Sequence, residues 1–194
     1  GDFTRGIGAS ANQINFSSGG GGFSAYGTDR TVNLGGAGNA VGWLVQEGKP
    51  LILSSPQANA TLILVNPVSL GTYIREFQVR NGAAAVDARL TGRIYSTGPA
   101  GLIKSGAGTL ELTGQQDYRG NVSVIGGGLR LGANNVFAGG TNALVLSGAT
   151  LDAGTYTNSF ATLEVLTNSV IEVGNGSATL AFADSSAKTW TGTL

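Results

Sequence analysis

Asp87 and Arg89 stand two apart in a segment, 84–90, where small or apolar residues alternate with polar ones, and Arg93 follows shortly after. In a strand that spacing sends Asp87 and Arg89 to one face. A carboxylate beside a guanidinium could there bind a uronate or activate a water. The same spacing suits a solvated ion pair on an outer wall, which is the reading the sequence favours. Glu111, Glu164 and Glu172 each alternate with Leu, Val or Ile and read as outward residues of strands; no acid pair for glycoside hydrolysis can be assigned from them. Tyr26, Tyr73, Tyr95, Tyr118 and Tyr156 lie near expected turns, where an exposed ladder of rings could stack sugars. Trp43 and Trp190 fall in strand-like blocks and read as core or capping residues. Lys104 reads as a basic residue at a strand start, its stem lying on the layer below.

Other chemistry is closed by composition. The 194 residues include no Cys, His or Met. Disulfides, thiolate zinc sites and every nucleophile activated by His are therefore excluded. The glycines from Gly42 to Gly48 and Lys49 have the wrong spacing for a phosphate loop, with Pro50 where Ser or Thr would be needed. Gly6-Ile7-Gly8 and Gly106-Ala107-Gly108 precede no helical pattern, so they read as turns rather than nucleotide sites. Gly35 to Val41 is like a calcium-binding nonapeptide, but Ala40 occupies the aspartate position and the unit occurs once. No catalytic residue, cofactor or metal is expected. Eleven basic residues balance eleven acidic ones, which gives no field to attract nucleic acid or an anionic membrane. No apolar run is long enough for a membrane-spanning helix. The polar opening at Gly1 without Met reads as a mature product or a fragment.

The elements that must carry these residues are strands. With 33 Gly and few amphipathic windows, long helices are disfavoured. Short apolar blocks bounded by Gly, Asn, Ser and Pro recur throughout, at 32–34, 41–45, 51–53, 61–65, 74–79 and 84–90 in the first half. In the second half two series interleave. One runs Leu110, Leu129, Leu151, Ile171; the other runs Val122, Leu144, Leu163, Leu180. Both recur about every twenty residues, which is the mark of a stacked repeat. Alternation places Leu110 and Leu112 on one face and Glu111 on the other. One such coil cannot bury its apolar face alone, whereas stacked coils set Leu over Leu and pair every backbone edge. The expected fold is all-β, a parallel β-solenoid, with a β-sandwich as the alternative. Trp43, Leu62 and Val86 suggest a less regular continuation over 1–98. The chain thus divides into a β-rich 1–98, continuous with the solenoid, and a solenoid at 99–194.

Residues 101–132 closely resemble the autotransporter-associated β-strand repeat. Lys104, Gly106, Gly108, Thr109, Leu110, Leu112, Gly114, Tyr118, Gly120, Val122, Val124, Gly128, Leu129, Leu131 and Gly132 stand at matching positions; Gln115 or Gln116 replaces the usual Asn. Flanking segments around Phe23, Asn66-Pro67 and Trp190 are similar to those of the long surface proteins that carry this repeat. The resemblance implies a right-handed parallel β-helix at the extracellular surface of a Gram-negative outer membrane, in the manner of a passenger domain. It brings no catalytic residue. The expected function is structural: a stalk, an adhesin scaffold or a self-stacking filament subunit, with a glycan-binding or polysaccharide-degrading β-helix as the alternative. Expected partners are another copy head to tail, glycans, or a host or neighbouring cell surface. No amphipathic helix caps either end, and Gly19 to Gly22 offers little cover, so further protein is expected to complete at least one end.

Overall fold

The computed structural model describes residues 1–16, 19–137, 139–174, 178–188 and 190–194, and among them there is no helix. Parallel strands stack coil upon coil into three walls. The first wall is β1 (Gly21–Phe23), β3 (Leu51–Leu53), β6 (Arg75–Val79), β9 (Leu102–Ser105), the first halves of β12 (Val122–Leu131) and β13 (Leu144–Asp152), and β15 (Leu163–Thr167). The second wall is β2 (Arg30–Val32), β4 (Leu62–Leu64), β7 (Ala88–Leu90), β10 (Thr109–Leu112), the second halves of β12 and β13, and β16 (Val170–Glu172). The third is shorter: β5 (Val68–Ser69), β8 (Ile94–Tyr95) and β11 (Gln116–Asp117), then a bridge to Phe137, and beyond it β14 (Asn158–Phe160) and β17 (Leu180–Phe182). This is a β-solenoid of about six turns, and it excludes the sandwich.

Register turns the sequence repeat into columns. Leu110, Leu129, Leu151 and Ile171 lie over one another in the second wall. The first three are fully buried, each contributing roughly 1.5–3 kcal/mol relative to an exposed side chain. In the first wall Val122, Leu144 and Leu163 form a second column, as their spacing predicts. Leu180 does not continue it; it pairs with Asn158 on the third wall. The third wall has an aromatic column of its own, with Phe137 and Phe160 centroids 4.7 Å apart and Phe160 and Phe182 5.6 Å apart.

The first half is less periodic because its corners are longer. Between β3 and β4, and again between β6 and β7, the chain spends residues 54–61 and 80–87 on one corner; β9 and β10 are separated only by 106–108, and β12 and β13 turn the corner without a break. The series Trp43, Leu62, Val86 is therefore not a column. Leu62 lies over Ala88, Val86 precedes β7, and Trp43 stands outside the strands with its ring edge-on to Phe77.

The N-terminal side of the column is not bare. Phe3 bridges to Val32, Phe16 bridges to Val45, and both rings pack against Phe23 at 5.4 and 5.8 Å. Ile14 joins them against the core. At the other side 191–193 runs along the last coil, with Thr191 and Gly192 donating to the Val165 carbonyl. Val170, Val173, Trp190 and Leu194 are exposed there.

Candidate functional site

The repeat motif places its polar residues at one corner, between the first and second walls. Lys104 occupies an inward position of β9, between Phe77 below and Val124 above, and is fully buried. This corrects the expectation of a stem lying on the layer below with its ammonium outside. The ammonium donates to the carbonyls of Gly106 at 2.7 Å, Gly108 at 2.5 Å and Gly126 at 2.8 Å. A buried charge requires such partners. Burial lowers the Lys104 pKa from 10.5 to about 8, with the nearby Asp87 carboxylate acting in the opposite sense.

Asp87 lies at the same corner and is also buried. It sits just before β7 and pairs with neither Arg89 nor Arg93, so the predicted outer-wall cluster is not assembled. Its carboxylate accepts the N–H of Gly82 at 2.6 Å, the N–H of Thr109 at 2.8 Å and the Ser54 hydroxyl at 3.4 Å. Those donors belong to three successive coils. Asp87 and Lys104 together therefore tie four coils, from Ser54 to Gly126, at the corner that interrupts the strands of the lower three.

Glycine makes that corner possible. Gly106 has φ 78°, and a Cβ on it would lie 2.3 Å from the Val79 carbonyl oxygen. At Gly108 of the same corner, and at Gly114 and Gly120 of the other two, a Cβ would meet the backbone of the preceding coil at 2.7, 2.2 and 2.1 Å. Gly128 stands over Thr109 in the second wall. Leu112 and Leu131 share a buried column, and Tyr118 is buried in the core, where desolvation pushes its phenol pKa upward. Tyr118 thus leaves the proposed glycan ladder.

Outside the second wall, the residues alternating with the buried leucines form a charge ladder. Arg89, Glu111, Arg130, Asp152 and Glu172 are stacked in register. Arg89 pairs with Glu111, and Arg130 lies 3.5 Å from Glu111 and 3.4 Å from Asp152. Arg93 pairs separately with Asp117. Glu111 is buried beneath the two guanidinium groups, while the exposed Arg93–Asp117 pair is worth about 0–1 kcal/mol.

Corner asparagines were not singled out from the sequence. Asn66 accepts the Leu34 N–H at 2.6 Å and donates to the Leu34 and Asn39 carbonyls, all in the coil below. Asn158 does the same for Val136 and Ala133. Asn66 follows β4 and Asn158 opens β14, positions that gave no distinguishing sequence signal. Among the described residues, no group of three or more acidic side chains is placed to hold a metal ion, and no helix is long and apolar enough to cross a membrane.

No family model matches the chain, and no solved structure matches it. Among curated proteins it is similar to the adhesin BmaC autotransporter of Brucella suis biovar 1 (strain 1330), at 32% identity over 133 residues. That match takes in 63% of this chain, which spans about 4% of the length of the adhesin.

Proposed function

We propose that this chain is a structural segment of a secreted or surface-displayed, autotransporter-like protein, serving as a stalk or adhesin scaffold without catalysis. One observation carries the reading: the columns of Leu and Val run from coil to coil through one continuous sheet from β1 to β16, which makes a rod. The similarity to an autotransporter adhesin supports a place at the cell surface. The buried lysine of the repeat, Lys104, and Asp87 of the preceding coil are spent internally, as a scaffold requires. Head-to-tail stacking into filaments is the self-associating form of this reading.

Antibodies raised against the purified chain test it. They should label intact producing cells, and the purified chain should compete with those cells for attachment to a host or neighbouring cell layer. Labelling only after permeabilisation would overturn the proposal. Sedimentation and negative stain of the purified chain distinguish single rods from filaments.

A further inference from the structure

The corner between the third and first walls carries groups that the repeat motif does not use. At the first position of β6 stands Arg75, in the column that Leu102, Val122 and Leu144 fill in higher coils. Its guanidinium lies 5.3 Å from the Trp43 ring centroid and 4.8 Å from that of Tyr73, and its Nε donates to the Leu70 carbonyl at 3.2 Å. Among the described residues no carboxylate pairs with it. One coil further, Arg93 lies 5.1 Å from the Tyr95 ring centroid and pairs with Asp117. Arg119 is exposed beside Asp117 and has no ion pair among the described residues.

Two shallow depressions lie at this corner, and Pro99 lines both. Ile74, Gly101, Ile103 and Asn121 line one; Thr97, Asp117 and Arg119 line the other. Tyr73 is 49% and Ile74 69% exposed. Tyr73 and Arg75 flank Ile74 in the chain, so the ledge and its rim offer apolar and tyrosine surface, hydroxyl and amide groups, and the guanidinium groups of Arg75 and Arg119, while Asp117 is taken by Arg93. An apolar patch alone would suit many partners. A guanidinium close to two aromatic rings, with Nη groups paired to no carboxylate among the described residues, suits a planar anion, and tyrosine faces suit the apolar face of a sugar ring. The chain has no net charge, so attraction to a polyanion comes from this patch and not from the molecule as a whole.

We propose that this ledge binds an acidic glycan bearing carboxylate or sulfate groups, with Arg75 and Arg119 taking the anionic groups and Tyr73 supporting a sugar ring. The assignment gives the adhesin-like reading a ligand class and rests on it for biological meaning; binding itself is read on the isolated chain. It replaces Asp87 and Arg89, which the structure commits elsewhere.

The test is a titration of the full chain carrying Trp190→Phe, so that Trp43 reports alone, with calorimetry alongside. The probes are oligogalacturonate for carboxylate, heparin oligosaccharides for sulfate, and neutral dextran. Saturable binding is expected for at least one acidic probe and not for dextran, and the probe that binds names the anion. Arg75→Gln and Arg119→Gln should each weaken binding at least tenfold, whereas Arg5→Gln and Lys188→Gln leave it unchanged. Arg119 is exposed, so its variant remains informative if Arg75→Gln fails to fold. Equal losses in all four variants, equal binding of dextran, or no saturable binding of either acidic probe would overturn the proposal. Failure of cell-surface labelling would instead count against the adhesin-like reading and leave the ledge standing.

Discussion

Lys104 and Asp87 are the residues on which the repeat corner depends. Replacing Lys104 by Met leaves the carbonyls of Gly106, Gly108 and Gly126 without their ammonium donor and removes a positive charge near Asp87. A loss of about 2–4 kcal/mol at pH 7 is expected by urea unfolding. The pH dependence has a definite sign. Below pH 8 both folded and unfolded Lys104 are protonated; between 8 and 10.5 the unfolded chain binds the extra proton. Stability from this group therefore rises with pH across that window. The gap between wild type and Lys104→Met should widen by up to about 3 kcal/mol from pH 7 to above 10.5. Comparison with the variant cancels the ionisation of Tyr118, which works the other way. Asp87→Ala strands the donors from Ser54, Gly82 and Thr109 and should cost about 3 kcal/mol by the same measurement, while Asp87→Asn recovers part of it. Motif matching could single out Lys104 but not its burial, because a lysine at a strand start looks alike whether it points in or out.

At the scale of the coil, the corner matters as much as the column. Gly106→Ala should destabilise by more than about 2 kcal/mol, since it forces a side chain into the left-handed region and against the Val79 carbonyl. Leu129→Ala, in the middle of a fully buried column, should cost about 2–5 kcal/mol, whereas Glu164→Ala on the outer face should stay within about 0.5 kcal/mol. Thermal unfolding of the three variants side by side checks the order. The second-half register was legible because β12 and β13 pass the corner without an insertion, so chain spacing equals coil length. Residues 54–61 and 80–87 break that equality lower down, which is why the spacing of Trp43, Leu62 and Val86 reads as less regular. The third wall was barely legible, since two-residue strands such as β5, β8 and β11 carry no alternation to read.

For the whole molecule, a rod of stacked coils held by an aliphatic column is expected to fold without a bound ion. Chelator should leave its thermal unfolding unchanged; the loop at 35–40 is closed instead by Asn33, which donates to the Gly36 carbonyl and accepts the Gly38 N–H. A fall in stability on removing calcium would contradict this. Alternation and glycine spacing in 101–132 were enough to specify a parallel coil, because both act over a few neighbouring residues and every following coil repeats the same constraint. Which charges meet was settled only when the coils stacked. Arg89 finds Glu111 one coil away and leaves Asp87, its neighbour in the chain; Arg75 finds the ring of Trp43 from the preceding turn. Such partners lie 22 and 32 residues apart, and the length of each corner, invisible to any local pattern, sets which of them come face to face.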